Sequence, residues 1–325
     1  MRTYQIHLSS DSVLTQTPDS QKLFGALMYL YSDTFGQEHA TSFAQALLHN
    51  QITYMLSSVM PKGYLPVPQD YLIDNLSDKT NDEWSDKEKR KRIKARNYLK
   101  YSDLEQILKD PEKAVNVFPY VKLNSYQNLR ASIESTRYDI PGLESNLYSV
   151  PTAVPLEITK EKNLEKSLIR DFCFYLMIDD SGIVEEFFKV VALAVEKKRT
   201  LVLGKRSSQG MNLFKLMDCQ VNSHLNDSHS NCFLNTGMLL PNEIDYQKST
   251  IKLFTSERRP FEIVGGWSDR VQGQFISFIA EGSLISSSNG IRTIGKSIAS
   301  PFDREAIIFG NAFQYPLPNQ ERGCV

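Results

Sequence analysis

The run Leu203-Gly204-Lys205-Arg206-Ser207-Ser208-Gln209-Gly210 gathers the residue types best suited to chemistry in this chain. Gly204 and Gly210 let a backbone approach a ligand closely, Lys205 and Arg206 supply positive charge, and Ser207 and Ser208 supply hydroxyl donors. Such a set could hold the phosphates of a nucleic-acid backbone. A basic surface turn has the same composition, so the loop alone leaves both readings open.

A loop of this kind needs rigid elements to hold it. Residues 200–203 read as a strand that runs directly into it. A helix is expected over 181–196, with Ile183, Phe187, Val190, Val191 and Ala194 on one face, and a strand dense in aromatic and apolar residues over 170–177. The loop therefore ends a β-α-β unit. The start of the chain repeats the pattern: a strand over 2–8, with Tyr4, Ile6 and Leu8 alternating against Gln5 and His7, then a helix capped at Asp19-Ser20. That helix runs through Leu23, Leu27, Leu30 and Tyr31, a second helical segment is expected near 41–49, and strands over 53–60 and 64–68 flank a Pro61-Lys62-Gly63 turn. This β-α-α-β opening suits a ferredoxin-like unit. Beyond residue 211 only short strand-like runs remain, at 213–219, 250–255, 261–264, 275–279 and 306–309.

Composition bounds the function. The 325 residues carry a net charge of −1 with a pI near 6.5, which excludes a free-standing, sequence-blind nucleic-acid binder built on a strongly basic domain. Any nucleic-acid contact must be local. Hydrophobic residues at 41% and charged residues at 23% are those of a globular protein, the apolar stretches are too short to span a bilayer, and the N-terminus lacks a signal-peptide pattern. A cytoplasmic protein with no membrane partner is expected. The four cysteines include no C-x-x-C pair, which fits reduced thiols better than a disulfide framework.

Three further constellations have two readings each. Residues 87–100 hold eight basic residues against one Glu; with only Tyr98 and Tyr101 for base stacking, a solvated helix or partner-binding arm suits them better than an RNA contact. Cys219, His224, His229 and Cys232 form C-x4-H-x4-H-x2-C, ligand types that suit zinc at a spacing that suits a polar loop. His7, His39 and His49 could serve acid and base chemistry, yet each falls in an expected strand or helix without a partner nearby in sequence.

An ordered series of motifs resembles one family. Asp19-Ser20-Gln21-Lys22-Leu23-Phe24-Gly25-Ala26-Leu27 resembles its S-D-T-L-F-[GS]-A-L helix start, and Gly204-Lys205-Arg206-Ser207-Ser208 its G-[GK]-K-R-S-S-G-x-G loop. Between them, Leu65-Pro66-Val67-Pro68, the basic run at 87–101, and the segment from Leu129-Arg130 through Arg137 to Leu147-Tyr148 look like its L-P-K-P, lysine-rich and R-N-x-I-D-R…L-Y segments. Phe278-Ile279-Ala280-Glu281-Gly282-Ser283 and Gly310-Asn311-Ala312-Phe313 are similar to its later segments. Leu203 and Gln209 stand where glycines are usual, Gln21 and Lys22 replace Asp-Thr, and Ser132 and Glu134 dilute the arginine segment. The family is that of subunit 4 of type III-A CRISPR Csm effector complexes, and the resemblance spans nearly the full length.

The resemblance implies an α+β protein of two ferredoxin-like, RRM-related domains in tandem with inserted loops, over 1–165 and 166–325. It implies a non-catalytic subunit that binds the repeat-derived 5′ handle of crRNA, docks to the large palm-domain subunit and an adjacent backbone subunit, and meets target RNA indirectly. No cofactor, metal or catalytic residue is implied. RNA contacts fall to Ser20, Gln21 and Lys22, to Arg130, Arg137 and Tyr148, and to Gly204, Lys205, Arg206, Ser207, Ser208 and Gly210. The alternative from another class is a metal-independent RNA-processing endonuclease of the same superfamily.

Overall fold

Asp19 starts the first helix: its carboxylate accepts from the Lys22 amide at 2.9 Å and satisfies one of the free N–H groups of the first turn. The computed structural model describes residues 1–76, 84–132, 146–159, 166–225, 230–258, 274–301 and 306–318. Strand β1 (Arg2–Ser9) precedes helix α1 (Ser20–Phe35), which buries Leu23, Phe24, Leu27 and Tyr31 at helical spacing. Gly36, at φ +93°, turns the chain into α2 (Gln37–Leu48), and β2 (Tyr54–Leu56) follows.

A long excursion separates β2 from the next strand of the same sheet. It contains β3 (Met60–Pro61), β4 (Tyr64–Pro66), α3 (Gln69–Asp74), α4 (Asp86–Lys94), β5 (Tyr98–Lys100), α5 (Tyr101–Lys109), β6 (Tyr120–Ser132), β7 (Asn146–Ile158) and β8 (Lys166–Leu168). Five of its strands form their own sheet, β4-β5-β6-β7-β8. Residues 120–132 and 146–158 thus form a ladder of thirteen cross-strand pairs, from Tyr120 opposite Ile158 to Ser132 opposite Asn146.

The basic run is partly structural. Ser85 and Glu88 cap α4 reciprocally, while Lys89 and Arg96 are each only 2% exposed. Lys89 pairs with Glu112 at 3.2 Å; Arg96 donates to the carbonyls of Arg92, Val115 and Val117 and lies 4.5 Å from the Tyr120 ring centroid. Of the other basic residues of α4, Lys87, Arg90, Lys91 and Lys94 are exposed, and Arg92 is half-buried against the Trp84 ring at 3.5 Å.

The chain then returns with β9 (Asp171–Ile178), α6 (Gly182–Glu196), β10 (Thr200–Val202) and β11 (Leu213–Val221). The main sheet runs β10-β11-β1-β9-β2, its ladders antiparallel, with β3 also pairing β9. β1, β2, β9 and β11 with their helices make one ferredoxin-like β-α-β-β-α-β arrangement. Both β-α-β patterns of the sequence are present, and they interleave in this sheet; residue 165 falls between strands that share it.

Period-two alternation explains why β9 reads as a continuous apolar run. Phe172, Phe174, Leu176 and Ile178 pack into the core under α1, α2 and α6, together with Phe43, Tyr54 and Phe187. Cys173, Tyr175 and Met177 face a second core shared with β4, β5 and α5. Full burial of each large side chain contributes roughly 1.5–3 kcal/mol.

The remainder adds β12 (Cys232–Asn235), β13 (Leu253–Arg258), β14 (Gln274–Ile279), β15 (Leu284–Ser286), β16 (Ile298–Ala299), β17 (Ile307–Ile308) and β18 (Gln314–Pro316). β15-β12-β18 form a small sheet, and Phe309 stacks on Phe24 at 4.5 Å, closing the main core. The run expected at 261–264 lies outside the described residues. The class is α+β, with helices and several antiparallel sheets. No helix among the described residues is long and apolar enough to cross a membrane.

Two cysteine readings change or narrow. Cys173 and Cys219 are free, but Cys232 is disulfide-bonded, a pairing that local Cys spacing does not encode. His229 lies outside the described residues. Among those described, no three His, Cys, Asp or Glu side chains group to hold a metal ion.

Candidate nucleic-acid interface

Three segments meet at the end of the main sheet where β1 stops and β10 turns into β11. They are residues 10–15, the 203–212 connection, and the outer part of the β6–β7 hairpin. Leu203 N donates to Asn212 O at 2.9 Å and closes the connection at its base. Within it, Arg206 adopts a left-handed conformation (φ 68°), residues Ser207–Gln209 form a single 3-10 turn, and Gly210 is left-handed again (φ 72°).

This geometry turns donors outward. The backbone N–H groups of residues 204–208 donate to no acceptor among the described residues. Successive free amides around a left-handed residue form a concavity suited to an anion. Lys205 is exposed and makes no ion pair among the described residues, and the hydroxyls of Ser207 and Ser208 border the same turn.

Asn212 fixes the loop from behind. It is fully buried and left-handed (φ 57°); its Oδ1 accepts from Thr15 N at 2.8 Å, and its Nδ2 donates to Lys205 O at 2.7 Å and Thr15 Oγ1 at 3.0 Å. Gly204 must be glycine because a Cβ there would sit 2.9 Å from the Asn212 amide. Ser12 Oγ accepts from Leu213 N, and Asn212 N donates to Val13 O, so residues 12–15 lie along the loop like a splint.

The β6–β7 hairpin supplies the third wall. Ala153 N donates to Leu14 O at 2.8 Å, docking the hairpin on the same splint. Arg130 and Tyr148 are cross-strand partners on one face. That face meets the loop: Arg130 Nη1 donates to Gln209 Oε1 at 2.9 Å, and the Arg206 guanidinium lies 5.2 Å from the Tyr148 ring centroid. On the opposite face Leu129 and Leu147 are 78% and 72% exposed.

The fold thus joins Arg130 and Tyr148 to the Gly204–Gly210 loop. Arg137 lies outside the described residues. Ser20, Gln21 and Lys22 sit at the far end of the segment that begins at Thr15. Ser20 is buried and its Oγ accepts from Met238 N at 2.9 Å; the Gln21 amide donates to Phe309 O; Lys22 pairs with the Asp19 carboxylate. Of the three, Lys22 keeps a partly exposed charge. Sequence reasoning missed Asn212 and Gln209, because an Asn or Gln in a polar loop carries no signal until its partners are placed.

The histidines do not converge. His7, on β1, is buried, its Nδ1 is 3.8 Å from Asp218, and burial together with nearby Lys62 holds its pKa below the ordinary value. His39 contacts Glu186 at 2.9 Å, and His49, the residue that caps the C-terminus of α2, contacts the Gln45 carbonyl at 2.7 Å.

The fold has solved counterparts. A chain of the Csm3-Csm4 subcomplex in the type III-A CRISPR-Cas interference complex superposes with a TM-score of 0.56 at 14% identity, covering 98% of this chain and 100% of that one. Chains of the Csm1-Csm4 cassette match similarly, in complex with cA4 (TM-score 0.54, 16% identity) and with AMPPNP (0.52, 16%), each over 99% of this chain and 100% of the other. Csm4 is the component these assemblies have in common. No family model and no curated protein matches the chain. The likeness establishes a shared fold over the whole length, as the motif resemblance implied.

Proposed function

We propose that this chain is the subunit of a type III-A CRISPR surveillance complex that grips the repeat-derived 5′ handle of crRNA, docking to the large palm-domain subunit and to an adjacent backbone subunit. The observation that carries the reading is the meeting of the free-amide loop, Lys205 and Arg206 with Arg130 and Tyr148 from a distant hairpin. Phosphates would lie on the amides and on Lys205, with Arg206 and Arg130 flanking them, while the Tyr148 ring offers a stacking face. The whole-length fold likeness to chains of Csm assemblies supports the placement in such a complex. Because guide pairing carries sequence in RNA-guided complexes, backbone and shape contacts suffice for this role.

The role is positional: the subunit anchors RNA and catalyses nothing itself. Its histidines engage partners in separate elements rather than a shared centre.

Replacing both Lys205 and Arg206 with Ala tests the reading by salt-dependent titration of the full chain with 5′-handle RNA. The expected result is weaker binding and a log–log salt slope shallower by roughly 0.7 per lost phosphate contact on single-stranded RNA. An unchanged slope in a folded variant overturns it. Specific cleavage of repeat RNA by the purified chain, lost on changing a histidine, would favour the endonuclease instead.

A further inference from the structure

Handle binding by the 203–212 loop makes no use of the basic run at 87–100. The fold sorts that run by direction. Lys89 and Ile93 turn inward and Arg92 lies over the Trp84 ring, which leaves Lys87, Arg90, Lys91 and Lys94 outside, spaced i, i+3, i+4 and i+7 along α4. Helical geometry gathers that spacing into an arc of roughly 100° and a row roughly 10 Å long. All four are exposed, and none forms an ion pair among the described residues.

The acidic neighbours flank the row without entering it. Asp86 and Glu88 share α4 but fall to either side of the arc, and Glu88 Oε2 accepts from the Ser85 amide at 3.0 Å and its hydroxyl at 2.7 Å. Asp70 and Asp74 of α3 border a cavity together with Lys94, so the positive charge is concentrated at Lys87, Arg90 and Lys91.

An acidic protein face or a nucleic acid would complement such a row, and the rest of the helix surface decides between them. Every exposed residue of α4 is charged, and its one apolar residue, Ile93, is fully buried. The centre of a protein–protein interface is apolar and depleted of Lys, whereas interfaces with nucleic acid are polar and strongly basic. The face therefore suits phosphates. It carries no ring to stack an unpaired base, since α4 has no aromatic residue and Trp84 is taken by Arg92. Single strands are held largely through such stacking, while paired RNA is held through backbone and shape. We propose that this face of α4 is a second RNA contact, a sequence-independent seat for the phosphate backbone of paired RNA. The inference rests on the RNA-binding reading and adds a second surface to it.

The test titrates the full chain, across a range of salt, with two RNA duplexes of about 16 base pairs and unrelated sequence, and separately with single-stranded 5′-handle RNA. The triple variant Lys87→Ala, Arg90→Ala, Lys91→Ala is expected to weaken binding of both duplexes about tenfold at low salt, with a log–log slope shallower by roughly 0.9 per lost phosphate contact. Handle binding should stay within about twofold of wild type. The charge-conserving triple Lys87→Arg, Arg90→Lys, Lys91→Arg should keep the wild-type slope. These positions are exposed, so both variants fold.

Failure of the wild-type chain to bind duplex, an unchanged slope in the alanine variant, a loss confined to one duplex, or an equal loss on handle RNA overturns the inference. Intact duplex binding with loss of co-purification with the other subunits of the complex would assign the face to an acidic protein surface instead. The Lys205→Ala, Arg206→Ala chain separates the two readings. If it loses the handle while the α4 variant keeps the duplexes, the loop reading stands without the second contact; if neither variant changes any binding, both fail.

Discussion

The Arg206 guanidinium lies 5.2 Å from the centre of the Tyr148 ring, joining residues 58 positions apart across the gap between the hairpin and the loop. Arg206 holds a left-handed backbone conformation there, which directs its side chain toward the hairpin face that also carries Arg130. A cation over an aromatic face at a partly exposed site contributes roughly 0.5–1 kcal/mol. Tyr148→Ala is therefore expected to speed amide exchange in the outer parts of β6 and β7, while Tyr148→Phe leaves it unchanged. Equal exchange in both variants would mean that this contact does not hold the hairpin to the loop.

Asn212 should be the most sensitive residue behind the interface. Asn212→Ala removes the acceptor for Thr15 N and the donor to Lys205 O, and puts a Cβ residue with no compensating bond at φ 57°. A loss of roughly 2–4 kcal/mol is expected. Asn212→Gly relieves only the backbone part and should recover about 1 kcal/mol of it. Urea melts of the two variants measure the difference.

Gly204→Ala probes the same contact from the other side. The added methyl would lie 2.9 Å from the Asn212 side chain, which its hydrogen bonds prevent from moving away. RNA affinity is expected to fall severalfold. An exposed control, Lys189→Ala on α6, should change neither affinity nor stability by more than about 0.5 kcal/mol.

Arg96 is a structural residue inside a basic run. Arg96→Met strands the carbonyls of Arg92, Val115 and Val117 and should destabilise the chain by roughly 2–4 kcal/mol. Arg90→Met, at an exposed position of α4, should cost less than about 0.5 kcal/mol. Similar losses for the two would contradict the burial of Arg96.

Glu281 gives the stability a pH dependence of known sign. Burial pushes its carboxyl pKa up to about 7, against a hydrogen bond from Tyr98 that works the other way. The folded state therefore binds the proton more tightly than the unfolded state. Its contribution is fully present below the ordinary carboxyl range and is lost as pH rises through about 7. Glu281→Gln is expected to gain stability relative to wild type between pH 5 and 8, by on the order of 2 kcal/mol. Urea denaturation across that range reads it, and parallel curves for the two proteins would exclude the shift.

Much of the fold was legible in local pattern. Alternation in residues 2–8, the Asp19 cap with its apolar stripe, and the helix before β10 all emerged near their expected bounds, because each follows from short-range periodicity or capping. The glycines, the paired basic residues and the hydroxyls of the 203–210 loop, on which the proposed phosphate contacts rest, are likewise a matter of local composition.

Tertiary structure decided the rest. β1 pairs with β9 and β11, far along the chain, so strands from both halves share one sheet, a pairing that no local pattern encodes. Residues 130 and 148 meet 206 and 209 only because Leu14 docks the hairpin and Asn212 draws the loop onto Thr15. Lys89 and Arg96 leave the solvent for partners supplied by residues 112–120. The physical reason is the same each time: periodicity and capping energies act over a few residues, whereas pairing across a sheet and satisfaction of a buried polar group depend on which distant segment the completed fold brings alongside.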